Sequence, residues 1–138
     1  MFSFWRKKYR YDNTRRYIRL PVSWPVKCES QGAPPVAGVA VGTTYDVSAG
    51  GVAVPVREKI PVGGLVRIEI YVPPLNRSLS VQGRVIRCSS QRGGGFELGV
   101  HFIQMDPKDR IALNEAIEAF YGPDHPARQR TTWWRRFT

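Results

Sequence analysis

Three arginines lie within five positions near the start of the sequence: Arg15, Arg16 and Arg19. An arginine donates paired hydrogen bonds to a phosphate or to the O6 and N7 atoms of guanine, and its flat guanidinium group stacks on a purine ring. Arginines at this spacing have the chemistry of an anion clamp. The same cluster also suits an exposed, solvated surface, so its spacing alone leaves both interpretations open.

A second polar group lies about thirty residues further along and consists of Asp46, Ser48, Gly50 and Gly51. A carboxylate accepts hydrogen bonds from the N–H groups of guanine, a hydroxyl donates or accepts, and glycine lets a ring approach the backbone. The alternative is an ordinary tight turn, in which the Asp and Ser side chains bond their own backbone amides and glycine supplies a positive φ. The turn alone does not decide between the two.

The residue types of an enzyme are present, but their arrangement is not. Asp46, Ser48 and His101 could form a nucleophile triad, yet the Gly-x-Ser-x-Gly elbow and its strand–turn–helix setting are missing. No cluster has metal-ligand spacing, and the glycines at 93–95 lack the Lys-Ser/Thr of a phosphate-binding loop. We therefore predict no catalytic residue, no metal and no cofactor.

The positive charge of the chain is concentrated at its two ends. The formal net charge is +10, of which residues 1–20 carry +6, residues 123–138 carry +3 and the intervening body carries +1. Aromatic residues are interleaved with the basic ones at both ends. Such ends suit an anionic partner, which could be a nucleotide, a nucleic acid or a membrane surface.

The sequence carries no signal for export or membrane insertion. No apolar run approaches the roughly 18–20 residues that span a bilayer. Residues 1–10 lack the apolar centre of a signal peptide, and the two isolated cysteines, Cys28 and Cys88, do not suggest a disulfide framework. We therefore expect a cytoplasmic protein.

The body of the chain has the pattern of short strands separated by Gly and Pro turns. Alternation and β-branched residues predict strands near residues 20–30, 36–47, 52–56, 65–72, 79–88 and 96–103. This spacing is typical of an antiparallel barrel or sandwich. Pro21 and Pro25 indicate that the first strand is an edge or bulged strand.

One amphipathic helix is predicted after the strands. Asp106 suits the N-cap position, Pro107 the first helical position, and Gly122-Pro123 would end the helix. Its apolar face should hold Leu113, Ala116, Ile117 and Phe120. These elements divide the chain into a basic tail at 1–13, a folded domain at 14–122 and a second basic tail at 123–138.

The two polar groups together resemble the paired signature of PilZ domains, Arg-x-x-x-Arg followed by Asp-x-Ser-x-x-Gly. The resemblance continues in Gly-Arg-Val-Ile-Arg at 83–87, in the 96–102 strand and in the closing helix. It implies a mainly β fold, a six-stranded antiparallel β-barrel with one C-terminal α-helix packed on it.

The resemblance also implies a ligand, the two-fold-symmetric bacterial second messenger cyclic di-GMP. In the family, a flexible segment carries the first motif and wraps the ligand, and the barrel surface carries the second motif and holds a guanine. Carried onto this chain, the clamp is Arg15 and Arg19 with Arg16 as a further donor, and the base platform is Asp46, Ser48 and Gly51. Gly50, Phe96 and Gly99 are expected to line the same site.

Our hypothesis is a non-enzymatic cyclic di-GMP receptor whose residues 1–19 become ordered on the ligand and whose altered surface signals to an effector protein. The alternatives are a basic module that holds nucleic acid or an anionic membrane through its aromatic-basic tails, and a protein adaptor that needs no ligand. As partners of the two tails, we favour a peripheral membrane contact over nucleic acid.

Overall fold

The structure is a computed structural model that describes residues 17–32 and 39–121. These residues form seven strands, a short 3-10 turn and one α-helix. The strands are β1 (Pro25–Ser30), β2 (Val39–Thr43), β3 (Asp46–Val47), β4 (Gly51–Val56), β5 (Leu65–Val72), β6 (Arg77–Ser90) and β7 (Phe96–Gln104). The 3-10 turn (Pro73–Leu75) joins β5 to β6, and the helix α1 (Pro107–Glu118) follows β7.

All seven strands belong to one antiparallel sheet in the order β2-β1-β5-β6-β7-β4-β3. The sheet curls, so that β2 and β4 approach each other although they lie far apart in this order. A Cβ atom added to Gly42 would stand 3.1 Å from the Pro55 ring. The expected mainly β, barrel-like fold is therefore confirmed, as a curled half-barrel.

Alternation along the strands builds the core. In β5 every second side chain is fully buried, and the intervening ones face outward. The buried side chains meet inside the curl and come from several strands, among them Ile68, Ile70, Leu79, Val54 and Leu98. Each such burial contributes about 1.5–3 kcal/mol, which makes this single core the main source of stability.

The number of strands differs from the predicted six because residues 36–47 do not form one strand. Among the described residues of that range, the chain breaks between β2 and β3 at Thr44, which is fully buried. The Thr44 hydroxyl donates to Val22 O and accepts from Trp24 N at 3.0 Å. These bonds tie the break to Val22 and Trp24, which precede β1. The chain turns at the break, so that β3 pairs with β4 and does not continue the pairing of β2 with β1.

A proline explains why β2 and β4 approach without pairing in the described part of the chain. Tyr45 N donates to Ala53 O over 2.9 Å, so the backbone groups of Ala53 point away from β7. Because the direction of these groups alternates along a strand, the nitrogen of Pro55, two residues after Ala53, also points away from β7. It carries no hydrogen to donate, and proline at such a position blocks further strand pairing.

Helix α1 crosses the end of the half-barrel where β1 begins and β5 ends. The predicted N-terminus is confirmed: the Asp106 side chain accepts from Lys108 N at 2.9 Å, and Pro107 occupies the first turn. The predicted face is confirmed for three of its members, which are buried in the core: Leu113, Ala116 and Ile117.

The end of the helix differs from the prediction. The helix ends at Glu118, before the glycine and proline that were expected to stop it. Phe120 is consequently not on the core face; its side chain is 53% exposed and its ring lies 6.1 Å from that of Trp24. Among the described helices, none is long and apolar enough to cross a membrane.

Candidate functional site

Arg19 lies in a short extended segment that pairs with β3. Leu20 N donates to Val47 O over 2.8 Å, and Val47 N donates to Leu20 O over 2.9 Å. Ile18 and Leu20 are buried in the core, and side chains alternate along an extended segment. Arg19 therefore points outward between two anchored neighbours.

The outward side chain of Arg19 faces Asp46. Arg19 Nη1 lies 3.8 Å from Asp46 Oδ2, and the two side chains are 44% and 28% exposed. One residue of each predicted motif is thus brought to the same place on the outer surface. Arg15 and Arg16 lie outside the described residues, so their contribution to the site stays a prediction.

Asp46 has a perturbed pKa. Burial of the carboxyl raises its pKa above the ordinary value of 3.8; the charges of Arg19 and Arg87 oppose this rise, and that of Glu97 adds to it. The net direction is upward, so Asp46 keeps its proton to a higher pH than a free aspartate does. A half-buried carboxyl that faces an arginine is a candidate for binding a polar ligand.

Ser48 organises the turn between β3 and β4. Its hydroxyl accepts from Gly50 N and from Gly51 N, each at 3.1 Å, and its backbone N donates to Gly51 O over 2.9 Å. Ser48 therefore fixes the turn that presents the glycines. Ser48 thus bonds the backbone amides of its own turn, as in an ordinary tight turn. A direct contact between Ser48 and a ligand remains a prediction.

Close approach by neighbouring atoms explains both glycines of the turn, but the neighbours differ. A Cβ atom on Gly51 would stand 2.4 Å from Val100 O, so the pairing of β4 with β7 excludes any side chain there. A Cβ atom on Gly50 would stand 3.3 Å from the Tyr17 ring. Neither glycine is among the described residues with positive φ, so close approach and not backbone conformation explains both.

Asp46 begins a row of paired residues that crosses the outer face of the sheet. Asp46 pairs with Ala53, Ala53 with Gly99, and Gly99 with Arg87. Residues in register share a face, so the row runs from Asp46 to Arg87, whose backbones lie three strand spacings of about 4.8 Å apart, about 14 Å along the sheet. The two central positions have almost no side chain, and both are buried beneath neighbouring groups.

The Arg87 side chain covers part of this row. Its Nε and Nη2 atoms lie 3.2 and 3.3 Å from the position that a Gly99 Cβ would take. Arg87 Nη2 also donates to Glu97 Oε2 at 3.0 Å, which holds the side chain over Gly99. The sequence motifs did not identify Arg87 as a binding residue, although it is the second arginine of the described site.

A β-bulge explains why sequence pattern missed Arg87. Simple alternation along the strand places Arg87 on the same face as Val85, which is in the core. In the structure the register shifts between Val85 and Arg87, so Ile86 is unpaired and Arg87 moves to the outer face. The available signal was the arginine itself, since a charged residue at a core position of a strand suggests a bulge.

The remaining predicted residues separate. Gly99 lies in the row beside Arg87, and its role in ligand binding stays a prediction. Phe96 pairs with Val56 at the other end of β7, and its partly buried side chain packs against the core. Phe96 is therefore removed from the candidate site, because the alternation that buries Leu98 and Val100 also turns Phe96 inward.

The described residues contain no group of three or more His, Cys, Asp or Glu side chains that could hold a metal ion. What the site offers is one carboxylate and two guanidinium groups on the outer face of the sheet. These groups suit a planar, polar anion that presents both N–H donors and acceptor oxygens.

Comparison with known proteins agrees with this architecture. The family described as PilZ domain matches residues 13–119, which is most of the chain. No curated protein matches the sequence.

Solved structures share the fold at low sequence identity. The PilZ domain of YcgR from Escherichia coli, solved with c-di-GMP, superimposes with a TM-score of 0.57 at 19% identity, covering 76% of this chain and 89% of that one. The PilZ domain of CeSA from a cellulose-synthesizing bacterium gives a TM-score of 0.53 at 19% identity, with 75% and 97% covered.

The inhibitor of motility MotI/DgrA of Bacillus subtilis gives a TM-score of 0.66 at 19% identity and covers 77% of this chain. The match spans half of the MotI/DgrA chain, so that protein has a further part with no counterpart in this match. The fold and the family match over residues 13–119 lead to one conclusion: this chain belongs to the PilZ domain family.

Proposed function

We propose that this chain is a non-enzymatic receptor for cyclic di-GMP, which binds at Arg19 and Asp46. The observation that carries the proposal is the approach of these two side chains to 3.8 Å on the outer face of the half-barrel. They come from the two separate motifs, which the pairing of Leu20 with Val47 brings together. A relative, the PilZ domain of YcgR, has been solved with c-di-GMP.

The chemistry of the ligand fits the described groups. Cyclic di-GMP presents guanine N–H donors, guanine acceptors and anionic phosphates. The Asp46 carboxylate accepts from the N–H groups of one guanine, and Arg19 donates to a phosphate or to O6 and N7. In this proposal Arg87 stacks its guanidinium on the base, since it already lies over Gly99.

Arg15 and Arg16 complete the clamp in this proposal. Ile18 and Leu20 are anchored, so the segment that closes over the ligand consists of residues before Tyr17 and not of all residues 1–19. Ligand phosphates supply the negative charge against which these arginines become ordered. The cost of that ordering reduces the affinity, as in other coupled ordering switches.

The output in this proposal is a changed surface that a separate effector protein recognises. Two relatives suggest the range of outputs: MotI/DgrA is an inhibitor of motility, and MrkH of Klebsiella pneumoniae is a c-di-GMP-dependent transcription regulatory factor. Which effector this chain regulates is a separate question from whether it binds the ligand.

Calorimetric titration of the full chain with cyclic di-GMP tests the proposal. We expect saturable binding at micromolar ligand for the wild type and a loss on the order of 100-fold for Arg19→Ala, because a charge-assisted contact is removed. Arg87→Ala should weaken binding less, on the order of tenfold, since it removes stacking and not a paired anion contact.

The matched control is Arg77→Ala, which breaks a surface ion pair with Asp109 (3.0 Å). This variant should bind like the wild type. Absence of saturable heat in the wild type contradicts the proposed function, and an equal loss for Arg77→Ala contradicts the proposed site.

A further inference from the structure

The backbone carbonyl oxygen of Arg19 accepts a hydrogen bond on the side that faces away from β3. Tyr121, three residues beyond the end of α1, donates its hydroxyl to Arg19 O over 2.6 Å. The backbone groups of Leu20 already bond Val47, so alternation turns the Arg19 carbonyl away from β3 and toward the helix. The segment that carries Arg19 therefore lies between β3 and the end of α1.

One peptide group links the two sides. Arg19 O and Leu20 N belong to the same peptide unit, so the series runs from the Tyr121 hydroxyl through this unit to Val47 O. A peptide that is hydrogen-bonded at both ends is polarised, and each bond strengthens the other. Val47 directly follows Asp46, so the series sets the position of Arg19 relative to Asp46.

Other contacts fix the helix end in place. The Tyr121 ring packs against the core, and Tyr121 N donates to Glu118 O over 3.0 Å. Phe120 lies against Trp24, five residues after Arg19 along the chain. Arg110, earlier on the helix, lies 6.0 Å from the centre of the Tyr17 ring, which covers Gly50. The helix and the residues after it thus contact the chain on both sides of Arg19, at Tyr17 and at Trp24.

We propose that Tyr121 is a positioning residue for ligand binding: its hydroxyl holds the Arg19 peptide so that the arginine side chain is directed at Asp46. This inference rests on the proposed function of the site for its effect on affinity. It adds that α1 is part of the binding apparatus, and that ligand occupancy is communicated to the end of the helix. Coupling of this kind is reciprocal, because a ligand that fixes Arg19 also stabilises the Tyr121 contact.

The test compares Tyr121→Phe with Tyr71→Phe in the full chain. Tyr71 lies on β5 and donates its hydroxyl to Asn76 Oδ1 over 2.7 Å, so its replacement is a matched loss of one hydroxyl. Tyr121→Phe keeps the ring in the core and should fold. We expect it to weaken cyclic di-GMP binding about three- to tenfold, the effect of one neutral hydrogen bond, whereas Tyr71→Phe should leave binding unchanged.

Hydrogen exchange without ligand supplies a readout that does not depend on binding. The Leu20 amide should exchange about three- to tenfold faster in Tyr121→Phe, while the amides of the β6–β7 ladder should keep wild-type protection. Unchanged Leu20 exchange overturns the positioning role. So does a uniform loss of protection, which indicates general destabilisation.

The two measurements also separate this inference from the proposed function. If the wild type fails to bind cyclic di-GMP, the proposed function is wrong, and faster Leu20 exchange in Tyr121→Phe still supports the tie between Tyr121 and Arg19. If the wild type binds and Tyr121→Phe binds equally well, the function stands and the positioning role is overturned.

Discussion

Single residues at the edge of this site serve the fold and the site to different degrees. The Ser48 hydroxyl is engaged with the Gly50 and Gly51 amides, and Gly51 is required by its contact with Val100 O. Asp46 and Arg19 have no such packing role, since both are partly exposed and face each other across the surface. A signature motif therefore contains residues that build the platform and residues that are left to contact a ligand.

Replacing Asp46 by Asn separates stability from binding. Burial raises the pKa of Asp46, so its favourable contribution to stability is present below the ordinary pKa of 3.8 and is lost as the pH rises through the raised value. At pH 7 the ionised carboxylate is therefore a cost that Asn removes. We expect Asp46→Asn to raise Tm at pH 7, with the difference shrinking toward pH 4.

The same variant should bind cyclic di-GMP on the order of 10- to 100-fold more weakly at pH 7, because a charged acceptor is lost. For the wild type, affinity should fall as the pH is lowered through the raised pKa of Asp46, and this fall should be absent in Asp46→Asn. Thermal denaturation and calorimetry at several pH values measure both effects. A variant that is less stable at pH 7 but binds normally would contradict this account of Asp46.

Replacing Gly51 by Ala tests the platform. A Cβ atom 2.4 Å from a backbone oxygen cannot be accommodated by rotating a side chain, so β4 or β7 must move. We expect the free energy of unfolding to fall by about 1–3 kcal/mol, as measured by urea denaturation. Gly93→Ala is the control, since a Cβ atom there meets nothing within 4 Å and should change stability by less than about 0.5 kcal/mol.

At the scale of the elements, regular periodicity was predictable and its interruptions were not. The long strands β5, β6 and β7 and the start of α1 follow directly from alternation and from the Asp106 cap. The bulge at Ile86 and the break at Thr44 depend on contacts with distant residues. Local pattern does not encode such contacts, which explains why Arg87 was missed while Arg19 and Asp46 were identified from their motifs.

The break between β2 and β3 can be tested at Thr44. Thr44→Val keeps the shape of the buried side chain but leaves Trp24 N and Val22 O without the hydroxyl. Two unsatisfied buried backbone groups should cost about 2–4 kcal/mol of unfolding free energy. Thr43→Val, at an exposed neighbouring position, should change stability by less than about 0.5 kcal/mol. Equal stability of the two variants in urea would show that the hydroxyl does not hold the break.

At the scale of the whole molecule, charge and binding motif are separable. The domain body from residue 21 to 122 carries a net charge of +1, and the excess lies at both ends. Arg6, Lys7, Lys8 and Arg10 lie outside the paired motif. Their positive charge suits any polyanion, whereas Arg19 and Asp46 form a local site of defined geometry. Binding through the ends and binding at the site should therefore respond differently to salt.

The final prediction concerns a full-length variant in which Arg6, Lys7, Lys8 and Arg10 are all replaced by Gln. Cyclic di-GMP carries two phosphate charges, and the variant keeps all three motif arginines. Its affinity for cyclic di-GMP should therefore stay within about threefold of the wild type, and it should change less than about threefold between 50 and 200 mM salt. Binding to a single-stranded oligonucleotide should instead weaken, with the slope of log K against log salt reduced by up to about 3, from about 0.7 per neutralised phosphate. Calorimetry and fluorescence anisotropy measure the two ligands. If cyclic di-GMP binding fell as steeply as oligonucleotide binding, the basic tail and not the paired motif would be the principal anion site, because only a contact dominated by many phosphates shows that dependence on salt.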